Sequence, residues 1–248
     1  MNTSKAVIID QLRKDLLPLQ GFKTTLQDAL PDTGLGPIKY AFPNAVFPLG
    51  AVHEFFYASP EDAAATAGFV AGVLSSLMRS RGAVIWISAT RSIFPPALKS
   101  FGIAPDKIIF VELKKEKEIL WAMEESLKCN GLAAVIGEMP ELSFTASRRL
   151  QLAVEQSRVT GFIFRHNPRN ENTTACVTRW KITSLPGELK DGMPGVGFPR
   201  WNVNLVKVRN GRPGNWHMEW NAGRLVANNR FYYVKWITKL RLLITKTL

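Results

Sequence analysis

Cysteine and histidine are scarce in this chain. Its 248 residues include two cysteines, Cys129 and Cys176, and three histidines, His53, His166 and His217. Two cysteines are too few for a disulfide framework or for a cysteine-based zinc or iron–sulfur cluster. The histidines lie far apart and form no local metal-binding motif. The sequence therefore predicts no metal site.

The chain also lacks a long apolar run. The longest uncharged stretch, Ala63–Met78, has 16 residues and contains Thr66, Ser75 and Ser76. A helix needs about 20 predominantly apolar residues to cross a bilayer. The first residues, Met1–Asp10, do not show the pattern of a secretory signal peptide. We therefore expect a cytoplasmic protein that has no membrane partner.

Acidic residues are few in the second half of the chain. Residues 1–124 carry 13 Lys or Arg and 12 Asp or Glu, whereas residues 125–248 carry 19 and 8. The second half therefore holds 11 of the 12 net positive charges. An uneven basic surface is typical of proteins that bind an anionic partner, most often nucleic acid. A generally basic, solvated surface is the alternative that charge alone leaves open.

Strand and helix patterns alternate over the middle of the chain. Ala83–Ser88 is almost entirely apolar, which is typical of a strand buried on both faces of a parallel sheet. The other strands predicted here are Ala51–Tyr57, Ile108–Leu113, Leu132–Ile136 and Gly161–Arg165. The predicted helices are Pro60–Ser80, a short one at Pro96–Phe101, Glu116–Cys129 and Ser143–Ser157. Four successive β-then-α units indicate an α/β fold whose central sheet is mostly parallel and flanked by helices.

The last part of the predicted core contains strands without helices between them. The pattern predicts strands at Ala175–Ser184, Trp201–Arg209 and Trp216–Trp220. The Gly/Pro/Asn turn at Asn210–Asn215 joins the last two, which indicates an antiparallel hairpin extension of the sheet. We expect most of the tryptophans in these strands to pack in the core.

Three segments follow from these patterns. Residues 1–30 contain a predicted helix, Ala6–Leu17, and a lead-in to the core. Residues 31–227 form the core domain, and residues 228–248 form a basic amphipathic tail. Pro31–Gly50 has four prolines, which predicts either a linker or an extended segment that wraps against the core.

The turn after the first core strand has no glycine and no lysine. A phosphate-binding loop needs glycines so that backbone amides can surround the phosphates, and a lysine followed by Ser or Thr. The residues at this position are Ser59, Pro60, Glu61, Asp62, Ala63 and Ala64. The two carboxylates would repel phosphate, and Ser59 is a suitable N-cap for a helix that starts with Pro60. The sequence predicts a capped helix start and no nucleotide-binding site.

Several segments resemble the RecA superfamily in order and spacing. Leu49–Glu54 is similar to the segment before the RecA phosphate loop, Trp86–Thr90 to the second core strand, and Glu219–Gly223 to the terminal hairpin. The closer resemblance is to the ImuA family, the RecA-like proteins of bacterial SOS-induced mutagenesis cassettes. The segments that carry it are Gly50–Glu54, Leu120–Glu125, Arg148–Ala153, Thr178–Trp180 and Asn210–Gly214 with Trp216. The resemblance implies a RecA-like core.

The resemblance also bears on catalysis. Ala63 matches the phosphate-loop lysine, Thr90 matches the catalytic glutamate, and the metal-binding aspartate falls at Gly137 or Glu138. A carboxylate at Glu138 would lack the loop amides that complete such a site. The resemblance therefore implies a RecA-type core with no working ATPase and no cofactor.

The function implied by the ImuA resemblance is that of a non-catalytic adaptor in damage-induced, error-prone translesion DNA synthesis. The implied partners are an ImuB-like relative of Y-family polymerases and an error-prone replicative-type DNA polymerase, with RecA and single-stranded DNA as further candidates. Three alternatives stay open: a DNA-binding repair protein, a SulA-like cell-division inhibitor and a weak ATPase. The arginine-rich second half and the turn at Gly211–Gly214 favour ImuA over SulA.

Basic residues are the candidates for contacts with partners. Lys207 and Arg209 have the spacing that places two side chains on one face of a strand, and RecA proteins use a matching pair to reach the ATP of a neighbouring subunit. The other interface candidates are Arg212 and, in the tail, Lys235, Trp236, Lys239 and Arg241. The residues with implied DNA contacts are Arg165, His166, Arg169 and Arg179. Solvated surface residues remain the alternative, and for the tail also a terminal helix docked on its own core.

Overall fold

The computed structural model describes residues 33–79, 82–91, 93–168, 171–188 and 197–227, together with Val7 and Gly195. The predicted helix in residues 6–17 lies outside these residues apart from Val7, and the tail 228–248 lies outside them entirely. Within the described residues, strands from all parts of the chain join one mixed sheet with helices on both faces.

The elements follow the predicted alternation. The strands are β1 (Val52–Tyr57), β2 (Val84–Ser88), β3 (Ile108–Glu112), β4 (Ala134–Glu138), β5 (Thr160–His166), β6 (Thr178–Leu185), β7 (Arg200–Val208), β8 (Gly214–Asn221) and β9 (Arg224–Ala227). The α-helices are α1 (Pro60–Leu77), α2 (Glu116–Leu127) and α3 (Phe144–Ser157). Short 3-10 helices lie at Gly36–Ala41, Pro43–Ala45, Pro95–Phe101 and Pro105–Lys107. Among the described helices, none is long and apolar enough to cross a membrane.

The sheet has a parallel part and an antiparallel part. The strand order is β3-β2-β4-β5-β1-β6-β7-β8-β9. Neighbouring strands from β3 to β6 run parallel, and those from β6 to β9 run antiparallel. This arrangement confirms the predicted α/β class with a mostly parallel central sheet and an antiparallel C-terminal extension.

Two apolar clusters cover the two faces of the sheet. Helix α1 and the 3-10 helix at Pro95–Phe101 pack on one face, and α2 and α3 pack on the other. Trp180, Trp201 and Trp220 are buried in the α1 cluster, which confirms that these tryptophans are core residues. Helix α1 is buried on most of its sides, because it lies between the sheet and the neighbouring loops.

Several strand predictions differ from the structure: β6 begins three residues later than the predicted Ala175–Ser184, and β8 begins two residues earlier than the predicted Trp216–Trp220. β4 begins and ends two residues later than the predicted strand Leu132–Ile136, because the Leu132 N–H donates to the backbone oxygen of Cys129 in the turn after α2 (3.2 Å). β9 is not predicted from the sequence at all. The turn before β9 has Ala222 (φ 51°) and Gly223 (φ 74°) at its centre. The Asn-Gly or Asp-Gly pair that normally reveals such a turn in a sequence is therefore not present there.

The proline-rich segment before β1 wraps against the core. Leu35, Ile38, Phe42 and Phe47 are buried in the α1 cluster. The 3-10 helix Gly36–Ala41 has a proline at its second position, and the 3-10 helix Pro43–Ala45 starts with one. Proline suits a first helical turn. Of the two predicted alternatives for Pro31–Gly50, the wrapping segment is the one observed in the described part.

His53 of β1 is buried and neutral. Its ring stacks on Phe47 with 4.4 Å between ring centroids, and its Nε2 lies 2.9 Å from the backbone oxygen of Pro48. Its Nδ1 lies 2.7 Å from Thr178 Oγ1, which also accepts a hydrogen bond from Trp180 Nε1. The Nε2–H tautomer satisfies all of these partners, with the Thr178 hydroxyl donating to Nδ1. Burial lowers the pKa of His53 to about 3, although the hydrogen bond to Pro48 acts in the opposite direction.

We expect the protein to lose stability as the pH falls from about 6.5 towards about 3. The ordinary pKa of histidine is 6.5, whereas folded His53 takes up a proton only near pH 3. In this window the unfolded chain binds more protons than the folded chain, so the free energy of unfolding decreases as the pH decreases. Urea denaturation at a series of pH values measures the effect. The His53→Gln variant should lose the part of this pH dependence that comes from the ring, and an identical pH dependence in both proteins would contradict the assignment.

Candidate functional site

Helix α1 begins at the edge of the sheet where α/β proteins bind ligands, beyond the carboxyl ends of parallel strands. The backbone N–H of Asp62 donates to Ser59 Oγ over 3.1 Å, as expected for an N-cap. Hydrogen bonds to its own backbone and to Ser59 lower the pKa of the Glu61 carboxyl. The first turn of α1 therefore interacts with the Glu61 carboxylate, whereas the Asp62 carboxylate accepts a hydrogen bond of 3.1 Å from the Ser184 N–H. These negative charges disfavour a phosphate at the same place.

An apolar cavity of about 800 Å³ lies beside the start of α1. Its wall includes Tyr57 at the end of β1, Ala64 on α1, Phe94 after β2, and Phe198 and Trp201 near the start of β7. Phe94 and Phe198 are 71% and 43% exposed. A cavity with such walls suits an apolar group better than a triphosphate.

Glu138, at the end of β4, is a carboxylate in the wall of this cavity. Its Oε1 accepts a hydrogen bond of 2.6 Å from Trp86 Nε1. Burial, together with the charge of Glu138, raises the pKa of Tyr57 to about 12. In the described part of the chain, no group of three or more His, Cys, Asp and Glu side chains is arranged to hold a metal ion.

A buried carboxylate lies one residue from His53, on the opposite face of the sheet. The Glu54 side chain is fully buried, and its Oε1 accepts a hydrogen bond of 2.7 Å from Arg165 on β5. Its Oε2 accepts bonds from Arg179 on β6 (2.9 Å) and from the Thr174 hydroxyl (3.0 Å). The Phe56 ring lies 5.0 and 4.8 Å from the two guanidinium carbons. We call these five residues the Glu54 cluster.

Comparisons with known proteins find relatives that match most of this chain in sequence. The Protein ImuA of Caulobacter vibrioides strain NA1000 / CB15N is 35% identical over 190 residues, which cover 72% of this chain and 78% of the relative. The Protein ImuA of strain ATCC 19089 / CIP 103742 / CB 15 gives the same values. The chain belongs to the ImuA family.

Two other proteins are more distant from this ImuA-family chain. The cell division inhibitor SulA of Photorhabdus laumondii is 26% identical over 117 residues, which cover 46% of this chain and 66% of SulA. The crystal structure of the RadB recombinase matches with a TM-score of 0.54 at 14% identity, over 79% of this chain and 98% of RadB. The RadB match confirms the RecA-like fold. No family model matches the chain.

In this ImuA-family chain, two of the residues predicted to contact DNA are not at the surface. The side chains of Arg165 and Arg179 are 0% and 10% exposed, and both bind Glu54. Their burial argues against the predicted DNA contacts, because phosphates of DNA reach only groups at the surface. The RecA resemblance implies DNA contact for these arginines because they flank the loop 166–174, which matches a DNA-contacting loop of RecA. The carboxylate that buries them is 111 and 125 positions away in sequence.

The other two candidates for DNA contact differ from these arginines. His166 is exposed at the end of β5, and its Nε2 lies 3.3 Å from the backbone oxygen of Ala58. Arg169 lies outside the described residues. DNA contact by His166 and Arg169 stays a prediction.

The predicted basic pair lies on one side of the sheet. Lys207 Nζ is 3.4 Å from the backbone oxygen of Thr174, and an Arg209 guanidinium nitrogen donates to the backbone oxygen of Ala175 over 2.7 Å. The two side chains therefore reach adjacent residues of one segment, although β7 ends at Val208. Lys207 is exposed and Arg209 is half-buried.

The remaining interface candidates stay predictions. Arg212 is exposed in the turn between β7 and β8, and its backbone N–H donates to the backbone oxygen of Ala41. The tail candidates Lys235, Trp236, Lys239 and Arg241 lie outside the described residues.

Glu54 is the residue of this region that sequence reasoning missed. A single acid in the otherwise apolar and aromatic strand VHEFFY is a signal for a buried ion pair. The arginines in two other predicted strands supply its partners, but the sequence does not show that those strands are the neighbours of β1.

We expect Glu54→Gln to destabilise the protein by about 3–5 kcal/mol, because it leaves the buried Arg179 guanidinium without a countercharge and Arg165 with Glu141 alone, at 3.3 Å. Urea denaturation at neutral pH measures the free energy of unfolding. Glu112→Gln is the matched control, since Glu112 is an exposed partner of Arg91 and Lys114 and its loss should change stability little. Equal effects of the two substitutions would show that the Glu54 cluster does not behave as a buried charge network.

Proposed function

We propose that this ImuA-family chain is a non-catalytic adaptor in damage-induced, error-prone translesion DNA synthesis. The observation that carries the proposal is the start of α1, which has Ser59, Pro60, Glu61 and Asp62 where an ATPase would have glycines and a lysine. A P-loop ATPase needs backbone amides and a lysine around the β- and γ-phosphates and a held magnesium ion. Negative side chains and an apolar cavity supply none of these groups.

The charge distribution supports a role in assembly. The second half of the chain carries a net charge of +11, which suits nucleic acid or acidic protein surfaces. The proposed partners are an ImuB-like relative of Y-family polymerases and an error-prone replicative-type polymerase, which the adaptor would bring to damaged DNA or to RecA. Direct binding of single-stranded DNA is the second candidate function, and the same basic half favours it.

The first experiment tests the absence of nucleotide chemistry. A fluorescent ATP analogue titrated with the full-length protein and magnesium should give no saturable signal that unlabelled ATP displaces, with RecA as the positive control. In cells that lack the chromosomal gene, a copy with Glu138→Gln should restore damage-induced mutation as well as the unaltered copy does. Saturable, ATP-displaceable binding together with loss of mutagenesis in Glu138→Gln would overturn the non-catalytic proposal.

The second experiment tests whether Lys207 and Arg209 form part of a RecA-binding surface. Replacement of both residues by alanine should weaken association with RecA–ATP filaments about tenfold, which corresponds to about 1.4 kcal/mol. Binding to surface-immobilised filaments at several salt concentrations measures the change. Arg224→Ala is the control, because Arg224 is an exposed arginine on β9. Equal binding by the unaltered protein and the double variant would exclude this surface.

A further inference from the structure

The apolar cavity beside α1 has the composition of a peptide-docking site. Its walls come from the end of β1, from α1, from the 3-10 helix at Pro95–Phe101 and from the loop before β7. Exposed aromatic side chains at Phe94 and Phe198 flank it. Contiguous exposed apolar surface of this kind is typical of sites that bind another polypeptide or a ligand.

A buried hydrogen-bond donor in the cavity wall lacks a partner. Arg200 is 6% exposed and lines the cavity. One guanidinium nitrogen donates to the Pro186 backbone oxygen (3.1 Å) and pairs with Glu188 (2.7 Å). Its Nε–H is buried without a hydrogen-bond partner among the residues that the structure describes. Glu188 and the Pro186 backbone oxygen therefore hold the Arg200 side chain in the wall, and Glu188 compensates its charge.

The charges at the cavity suit a cationic occupant. Within the described wall, Arg200 is the single cation and it is paired with Glu188. Glu61 and Glu138 add two carboxylates to the wall. This local excess of negative charge contrasts with the net charge of +12 of the whole chain. An apolar segment that carries lysine or arginine would complement both the walls and the carboxylates.

We propose that the cavity is the docking site of the chain's own C-terminal segment, residues 228–248. This segment has five Lys or Arg and no acid, and four of its residues are aromatic. Trp236 lies between Lys235 and Lys239 in sequence, so one aromatic ring has cations on both sides. In the docked state the Trp236 ring fills the apolar space and the lysines face Glu61 and Glu138.

The segment can reach the cavity. The ring of Phe101, a wall residue, lies 5.2 Å from the ring of Trp220 on β8. Trp220 pairs with Leu225 on β9, and the described chain ends two residues later at Ala227. Arg200 of the wall pairs with Glu219, and Glu219 pairs with Val226, so two strand spacings, about 10 Å, separate the wall from the end of β9. The nine residues from Ala227 to Trp236 span up to about 30 Å when extended and about 14 Å when helical.

Site-specific photo-crosslinking in the full-length protein tests the proposal. Trp236 is replaced by the photo-reactive amino acid p-benzoylphenylalanine, and crosslinked peptides are mapped by mass spectrometry. We expect crosslinks within one chain to the cavity wall, mainly to the regions around Phe94 and Phe198. Ala64→Trp, which adds a bulky side chain at an exposed wall position, should lower their yield about tenfold, the equivalent of about 1.4 kcal/mol. Thr145→Trp, at an exposed position on α3, is the matched control and should leave the yield unchanged.

Three outcomes would overturn the proposal: crosslinks scattered over other surfaces, crosslinks only between two chains, or an equal yield in Ala64→Trp and Thr145→Trp. Thermal denaturation of each variant establishes that it is folded. The readout does not depend on polymerases, RecA or nucleotide. The docking proposal can therefore fail while the adaptor proposal stands, and the reverse also holds.

Discussion

A single buried carboxylate joins the two parts of the sheet. Glu54 lies on β1, between β5 on the parallel side and β6, from which the antiparallel part continues. It binds an arginine from each of these strands. An ion in the protein interior costs several kcal/mol unless partners compensate for the lost water. A shift of either strand by one residue would turn its arginine to the other face and remove one of the two countercharges of Glu54.

The Glu54 cluster therefore determines the register of β5 and β6 against β1 more than it adds to the free energy of unfolding. Buried ion pairs are often no more stabilising than apolar residues of the same size, but the loss of one partner is costly. Both guanidinium groups also lie within about 5 Å of the Phe56 ring, and these cation–π contacts favour the same strand register. Cys176 lies close by, and burial, with a further effect of the Glu54 charge, raises its pKa to about 12. Its thiol therefore stays protonated at neutral pH and is a packing group, not a nucleophile.

The elements could be predicted from the sequence because each β–α unit carries its own periodicity. The cap at Ser59, the apolar strand β2 and the amphipathic helices α2 and α3 depend on residues close together in the chain. The site depends on distant contacts instead. Glu54 and Arg165 are 111 positions apart, and an isolated arginine in a sequence is normally a surface residue. The RecA resemblance therefore implies DNA contact for an arginine whose observed partner is a distant carboxylate. The sequence does not reveal the cavity, because its wall combines residues from three distant parts of the chain: α1, the loop after β2 and the start of β7.

The residue types that make the start of α1 unsuited to a phosphate also form part of the wall of the apolar cavity. Glycines at the start of α1 would expose backbone amides, and a lysine there would supply a positive charge. Ala63 and Ala64 expose methyl groups at that place, and Glu61 adds a negative charge. Apolar surface in water costs about 25 cal/mol per Å², so an occupant that covers these walls gains affinity without any phosphate. The ligand-binding edge of the sheet thus keeps its position in the fold, while its chemistry favours an apolar, positively charged polypeptide over a nucleotide.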